Sequence, residues 1–235
     1  MTLRRLGGHI IGVSESNETE VNMLIGERMS RPVITVSPDE PINHVLALFK
    51  RERIRRAPVI KDGKLVGIVT QTDLLNASPS PVTSLSIWEL NYLLSKVTVS
   101  RIMSRKVRTV DVDTPIEEAA RIMADSKIGG LPVMNNNRIV GMITETDLFT
   151  VFLEMMGARQ KATRVTAVIN DLRGELAKLT KAVAGAGGNF ISLGMFAGPE
   201  VGTKIVTFKV LGLKKDEIRK ALGKSVKKFW DIRVS

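Results

Sequence analysis

The stretch GIVTQTDLL at residues 67–75 decides the fold, because almost the same sequence returns as GMITETDLF at residues 141–149. Each copy predicts a short apolar strand that runs into a turn and an acidic helix start. The two copies lie 74 residues apart, and the same offset relates seven further pairs. These are Met29 and Met103, Ser30 and Ser104, Thr35 and Thr109, Asp39 and Asp113, Pro41 and Pro115, Ile54 and Ile128, and Pro58 and Pro132. A repeat without a gap predicts two equivalent modules, and two copies favour a pseudo-twofold pair over a solenoid.

Each module is predicted to have the order β-α-β-β-α. Short extended segments at 33–36 and 107–110 are each followed by a helix that begins at a proline, Pro41 or Pro115. Proline lacks a backbone N–H, which costs no hydrogen bond at the first position of a helix. Two strands then flank the turns KDGK (61–64) and NNNR (135–138). The first helix carries an apolar face of Ile42, Val45, Leu46 and Phe49, or of Ile116, Ala119, Ala120 and Met123.

The composition argues against membrane, disulfide and metal chemistry. The chain has 235 residues, 43% of them hydrophobic and 25% charged, and has no cysteine. No apolar run approaches the roughly 20 residues that span a bilayer, and the N-terminus does not resemble a secretory signal. Only His9 and His44 are available for histidine chemistry. We therefore expect a cytoplasmic protein with no catalytic residues, no metal site and no membrane partner.

The formal charge of +11 raises the alternative of a nucleic-acid-binding or transcription-linked protein. One basic cluster lies at residues 50–56, and a second lies at residues 214–228. The second is interpreted as a solvated helix face followed by an exposed strand edge. Aromatic residues make up 4% of the chain, too few for rows of stacked bases, so nucleic acid is not the expected partner.

The two copies resemble a known module. RRAPVIKDGKLVGIVTQTDLL (55–75) and GGLPVMNNNRIVGMITETDLF (129–149) resemble a tandem pair of cystathionine-β-synthase (CBS) domains, also called a Bateman module. The resemblance implies domains at 23–82 and 99–157 that pack sheet to sheet. It also implies a regulatory role, with adenine nucleotides bound in the clefts between the domains. The expected ligand is AMP, ADP, ATP, NADH or S-adenosylmethionine, and no cofactor is expected.

The Thr-x-x-Asp motif has two interpretations. Thr70 and Thr144 place a hydroxyl at a helix start, where free N–H groups favour a phosphate, and Asp73 and Asp147 can accept the ribose hydroxyls. Alternatively, each motif is a capping box that serves only the helix. Its occurrence in both CBS-like repeats favours at least one nucleotide site.

The residues before each proline make the copies unequal. By the resemblance, this segment lines the adenine slot and sends a side chain towards phosphate. Arg55 and Arg56 stand in the first copy where Gly129 and Gly130 stand in the second. We expect phosphate-rich binding in the cleft that contains the arginines, with solvated arginines as the alternative. The remaining implied site residues are Thr35, Ala57, Pro58, Thr72, Thr109, Leu131, Pro132 and Thr146.

Two segments flank the repeats. Residues 1–22 show no periodicity and are expected to be poorly ordered. Residues 83–98 are predicted to form a connecting helix, which opens with a capping box of Ser86 and Glu89. Trp88, Tyr92 and Leu85 are assigned to packing, with a homodimer interface as a hypothesis.

Residues 161–235 predict a β-α-β-β-α-β domain, which is the ferredoxin-like order. Its helix is predicted to turn Leu172, Leu176, Leu179 and Val183 inward. The phrases NDLRGELAKL and GAGGNFISL resemble an ACT domain, which implies an amino-acid ligand at Asp171, Gly174 and Asn189, although Arg173 replaces the usual proline. The alternative is a domain that only dimerises.

The whole pattern is α+β: two CBS domains in a pseudo-twofold pair and a C-terminal ACT domain. It resembles the acetoin-utilisation B type of protein from residue 23 onwards. That resemblance implies a non-catalytic sensor whose nucleotide acts on the ACT domain or on a partner enzyme. An amino-acid sensor with a purely structural CBS pair is the second alternative.

Overall fold

The structure is a computed structural model that describes residues 23–78 and 86–235. The predicted N-terminal extension and Leu85 lie outside the described residues. The first repeat and the connecting helix comprise α1 (Ile25–Arg28), α2 (Ile42–Glu52), β1 (Arg56–Lys61), β2 (Lys64–Thr70), α3 (Gln71–Asn76) and α4 (Ile87–Ser95). The second repeat comprises α5 (Val99–Ile102), β3 (Val110–Asp111), α6 (Ile116–Ser126), β4 (Gly130–Asn135), β5 (Arg138–Thr144) and α7 (Glu145–Met155).

The predicted order of elements is present in both repeats. In the second, β3 runs parallel to β4, and β4 pairs antiparallel with β5. In the first, β1 and β2 form the hairpin, and the predicted strand at 33–36 is reduced to a parallel bridge from Val36 to Val59. The helix faces agree with the pattern, because Ile42, Val45 and Phe49 are buried in the first core.

The hairpin turns follow from local sequence. Asp62 and Gly63 have φ of 49° and 73°, and Asn136 and Asn137 have φ of 48° and 62°. Two consecutive residues with positive φ match the twist of the strands that they join, and Asn, Asp and Gly tolerate this conformation best. KDGK and NNNR therefore close equivalent hairpins.

The two repeats exchange their first turns. Ile25 and Met29, at the start of the first repeat, are buried in the core of the second, while Val99 and Met103, at the start of the second, are buried in the core of the first. Backbone bonds hold each exchanged segment, such as that from the Ser30 N–H to the Met142 carbonyl at 2.8 Å. The start of each predicted domain therefore packs into the core of the other domain, and neither core is complete without the other repeat.

Replacing Gly67 with alanine tests this exchange. A Cβ at Gly67 would lie 2.6 Å from Met103 Sδ and 3.1 Å from the Ser104 carbonyl oxygen. Because Met103 is buried, we expect the free energy of unfolding to fall by about 1–3 kcal/mol, measured by urea denaturation.

Gly185→Ala is the matched control for that substitution. Gly185 is the last residue of a helix in the C-terminal domain, and a Cβ there meets nothing within 4 Å. Alanine is the better helix former, so stability should be unchanged or slightly higher. An equal loss in both variants would show that crowding against the exchanged segment is not the cause.

The C-terminal domain is an antiparallel sheet with two helices against one face. Its elements are β6 (Thr163–Asn170), α8 (Glu175–Gly185), β7 (Asn189–Ala197), β8 (Thr203–Leu211), α9 (Lys215–Leu222) and β9 (Lys228–Val234). The strands lie in the order β7-β8-β6-β9, and the predicted β-α-β-β-α-β order is observed. Phe208 and Val165 of the sheet pack in one core with Leu179 of α8 and Ile218 of α9.

Several predicted packing residues are exposed instead. Leu172 precedes α8 and is 68% exposed, and Leu176 is 36% exposed, so only Leu179 and Val183 of that set are buried. The capping box of Ser86 and Glu89 is present, but Trp88 and Tyr92 are 84% and 63% exposed. Trp88 and Tyr92 therefore do not pack into the core of this chain, and packing against a second copy stays a prediction, because periodicity shows which face is apolar and not what covers it.

The C-terminal basic cluster lies where the pattern placed it. Its lysines and arginines are exposed along α9 and at the start of β9, which is an edge strand. Within residues 23–78 and 86–235, no helix has the length and apolar character needed to cross a bilayer.

Candidate functional site

Two cavities lie between the repeats. Cleft A has a volume of about 270 Å³ and is lined by residues 30, 32–34, 53–56, 129, 142 and 144–147. Cleft B has a volume of about 470 Å³ and is lined by residues 55–56, 68, 70–72, 104, 106–108 and 126–130. Each cleft is lined by two segments of one repeat and by the start of the second helix of the other, at residues 144–147 in cleft A and 70–72 in cleft B. Arg55 and Arg56 line both clefts, so their position alone does not select one.

Asp147 lies in the first turn of α7, where hydrogen bonds fix its carboxylate. Its Oδ2 accepts the Thr144 N–H at 2.8 Å and the Thr144 hydroxyl at 2.7 Å. Its Oδ1 accepts the Ser30 hydroxyl at 3.3 Å, which ties the second repeat to the exchanged segment of the first. A carboxylate oxygen has room for two acceptor bonds, so Oδ1 still offers one lone pair to a ligand hydroxyl in cleft A.

Asp73 occupies the equivalent place in α3. Its Oδ2 accepts the Thr70 N–H at 2.8 Å and the Thr70 hydroxyl at 2.7 Å, and its own N–H donates to that hydroxyl at 3.2 Å. Asp73 does not contribute to the lining of cleft B. The predicted capping box is therefore present in this repeat, and the Thr70 hydroxyl both donates to and accepts from Asp73. The helices start at Gln71 and Glu145, two residues before the aspartates.

Arg56 fills the space that two glycines leave open. A Cβ at Gly129 would lie 2.5 Å from an Arg56 guanidinium nitrogen, and a Cβ at Gly130 would lie 3.2 Å from Arg56 Cδ. Burial lowers the pKa of Arg56, and the facing Glu145 raises it in part. The guanidinium stays charged because its ordinary pKa is far above neutrality. Arg56 of the first repeat and Gly129 and Gly130 of the second therefore pack together across the interface.

The structure brings together only part of the predicted nucleotide set. Arg55, Arg56, Gly129 and Gly130 line the clefts, as do Thr70, Thr72, Thr144, Thr146 and Asp147. Ala57 and Leu131 are fully buried in the two cores, and Pro58 and Pro132 are buried beside them. Thr35 and Thr109 are exposed and line neither cleft. Ala57, Pro58, Leu131 and Pro132 lie in stretches of β1 and β4 that are buried on both faces, at residues 57–59 and 130–133.

Sequence reasoning missed several lining residues. Arg53 and Glu145 line cleft A, and Lys106, Arg108 and Lys127 line cleft B. The repeat offset carried a usable signal, since it equates Ile34 with Arg108 and Gln71 with Glu145. Both are changes of charge at equivalent positions.

The set implied for an amino-acid ligand is not assembled within one chain. Asp171 and Gly174 line a cavity of about 460 Å³ at the start of α8. Asn189 lies at the opposite end of the sheet, where it pairs with Leu211, whereas Asp171 bonds to the Gly202 carbonyl. β7 separates the two ends by nine residues, each rising about 3.3 Å. The grouping of Asn189 with Asp171 is therefore wrong for a single chain.

The chemistry of the clefts defines a class of protein. The cations, hydroxyls and helix-start aspartate that line the clefts are groups suited to a small molecule that carries hydroxyls and negative charge. In the described part of the chain, no three His, Asp or Glu side chains are placed to hold a metal ion. The fold and the clefts together describe a ligand-binding pair of repeats.

Comparison with known proteins agrees with this class. The CBS domain family model matches residues 25–80 and 99–154. A CBS domain-containing protein of Dictyostelium discoideum is 31% identical over 138 residues, covering 58% of this chain and 95% of that protein. Protein MJ1225 of Methanocaldococcus jannaschii is 33% identical over 144 residues, covering 58% of this chain and 49% of that protein.

The solved CBS domain pair of protein MJ0100, in complex with 5′-methylthioadenosine and S-adenosyl-L-methionine, is 29% identical to this chain. It covers 58% of this chain and 98% of that one, with a TM-score of 0.47. The chain belongs to the CBS-domain family, with two CBS domains in tandem. It spans about half the length of MJ1225, and the family match ends at residue 154.

Proposed function

We propose that this protein is a non-catalytic cytoplasmic sensor, in which an adenine nucleotide or a related adenosyl compound binds in cleft A. Binding is proposed to bias the packing of the two CBS domains and to act, through α7, on the C-terminal domain or on a regulated enzyme. A ligand drives such a change only if it prefers one arrangement over the other.

The observation that carries this proposal is the position of Asp147 in cleft A. Asp147, whose Oδ1 accepts one hydrogen bond from Ser30, lines a cavity that Arg53, Arg55 and Arg56 also line. Val33 and Ile34 add apolar surface suited to a flat base. A sugar hydroxyl, a base and a phosphate thus each find a complementary group within one cleft.

The route to the C-terminal domain is proposed to be α7. Its first turn lines cleft A, and its last turn carries Glu154, which forms an ion pair with Arg28 of α1 at 2.7 Å. Beyond it, Lys209 of β8 donates to the carbonyl oxygens of Gly157 and Gln160 at 3.0 Å and 2.8 Å. Lys209 is 5% exposed, so the junction is buried. One helix therefore connects the cleft to the sheet.

We further propose that the C-terminal domain is a ferredoxin-like ACT domain and that the protein is a homodimer. The strand order and the two helices on one face of the sheet support the first proposal. Exposed Trp88 and Tyr92 on α4 and exposed Phe149 and Phe152 on α7 support the second, since large exposed apolar surfaces mark association sites. The whole-chain similarity to the acetoin-utilisation B type stays a prediction.

The alternatives have less support. An amino-acid carboxylate in the cavity at Asp171 would meet Glu175 as well, and Asp171 already forms an ion pair with Lys204 at 3.4 Å. Nucleic acid would be favoured by a concave, aromatic-lined basic surface. The basic residues at 214–228 lie instead on one helix face and an edge strand.

Calorimetric titration of the purified chain with AMP, ADP, ATP, NADH and S-adenosylmethionine tests the proposed function. We expect saturable binding of at least one of these compounds and a matching rise in melting temperature by mass action. Binding of none of them would reject the nucleotide-sensor proposal. Release of product during a long incubation would reject the non-catalytic part alone.

A further inference from the structure

The two clefts differ in charge although the repeats that build them are equivalent. Cleft A combines Arg53, Arg55 and Arg56 with the carboxylates of Glu145 and Asp147. The lining of cleft B contains five cations and no carboxylate: Arg55, Arg56, Lys106, Arg108 and Lys127. The difference arises at equivalent positions, because the offset of 74 equates Pro32 with Lys106, Ile34 with Arg108, and Glu145 with Gln71.

The additional cations of cleft B are exposed and available to bind a ligand. Lys106, Arg108 and Lys127 are exposed, and none of them forms an ion pair with another residue of the described chain. Like charges around one cavity repel each other, and an anion with several charges relieves that repulsion while it forms charge-assisted hydrogen bonds. A single carboxylate or monophosphate would leave most of these cations unpaired.

We propose that cleft B is a polyphosphate site, which takes the di- or triphosphate chain of a nucleotide, whereas cleft A takes the nucleoside or monophosphate form. This rests on the proposed function in placing nucleotides between the repeats, and it goes further by giving each cleft its own ligand class. Glu145 disfavours a polyanion in cleft A, and Gln71 removes that repulsion in cleft B.

The test uses a variant that gives cleft B the apolar character of cleft A. Lys106→Ala with Arg108→Ile removes two exposed cations, and isoleucine is the residue at the equivalent position 34. Calorimetry with inorganic tripolyphosphate should show a loss of affinity of at least roughly tenfold in this variant. The salt dependence of binding should also become shallower. The affinity for AMP should stay unchanged.

The control removes the same charge elsewhere, by Lys220→Ala with Lys224→Ala on and beside α9. The polyphosphate site would be overturned if both double variants lost the same affinity for tripolyphosphate. It would also be overturned if the wild-type chain did not bind tripolyphosphate. AMP binding tests the proposed function separately, because tripolyphosphate has no base or sugar. Tripolyphosphate binding without binding of AMP, ADP, ATP, NADH or S-adenosylmethionine would therefore reject the sensor proposal and keep the anion site.

Discussion

Replacing Asp147 with asparagine is expected to lower the affinity for AMP by roughly 10- to 100-fold, which corresponds to the loss of one or two charge-assisted hydrogen bonds. Asparagine keeps the size of the side chain, and its carbonyl oxygen can still accept the Thr144 N–H. The amide nitrogen, however, replaces the oxygen that now accepts from Ser30 and faces cleft A. A donor then points at the ligand hydroxyl in place of an acceptor. Calorimetric titration of AMP measures the change.

Asp73→Asn is the matched control that the pseudo-twofold repeat provides. Both aspartates accept a threonine N–H at 2.8 Å and a threonine hydroxyl at 2.7 Å, so both substitutions should weaken a helix cap by a similar amount. Caps of this kind contribute about 0.5–2 kcal/mol. Because only Asp147 lines cleft A, only its variant should lose AMP affinity. Equal losses in the two variants would show that cap stability, and not contact with the ligand, sets the affinity.

The parts of the fold that depend on neighbouring residues could be predicted from the sequence. Asp62 and Gly63 specify their hairpin turn by backbone preference alone. Ile42, Val45 and Phe49 specify a buried helix face by their spacing. The capping box at Ser86 follows from Glu89 three residues later. Each of these signals involves residues that are close along the chain.

The assembly of the clefts could not be predicted in the same way. Asp147 lines the same cleft as Arg53 and Arg56 only because the two repeats pack against each other. No local sequence pattern specifies which segments of the two repeats come together. Arg56 fits over Gly129 because the glycine has no Cβ, a relation between positions that are distant in sequence. Leu172 was misplaced for a simpler reason. The chain turns at Gly174, with φ of 84°, so α8 begins after Leu172.

Replacing Lys209 with methionine is expected to uncouple the C-terminal domain from the clefts. Methionine fills most of the same space but leaves the carbonyl oxygens of Gly157 and Gln160 without the ammonium that now bonds to both. Hydrogen bonds to a charged group are worth about 1.5–3 kcal/mol each. Amide hydrogen exchange at residues 157–164 should therefore become roughly 10- to 100-fold faster. Saturating AMP should slow that exchange in the wild-type chain and have no effect on it in the variant.

Lys204→Met controls for the loss of a lysine from the same strand. Lys204 is at the far end of β8, where it pairs with Asp171 at 3.4 Å and does not contact the junction. In the Lys204→Met variant, the rate of amide exchange at residues 157–164 and the effect of AMP on that rate should be the same as in the wild type. The affinity for AMP itself should be the same in all three proteins, because Lys209 lines neither cleft. If AMP still slows exchange at the junction of the Lys209 variant, the change does not pass through this lysine, and the ion pair between Arg28 and Glu154 of α7 is the next contact to test.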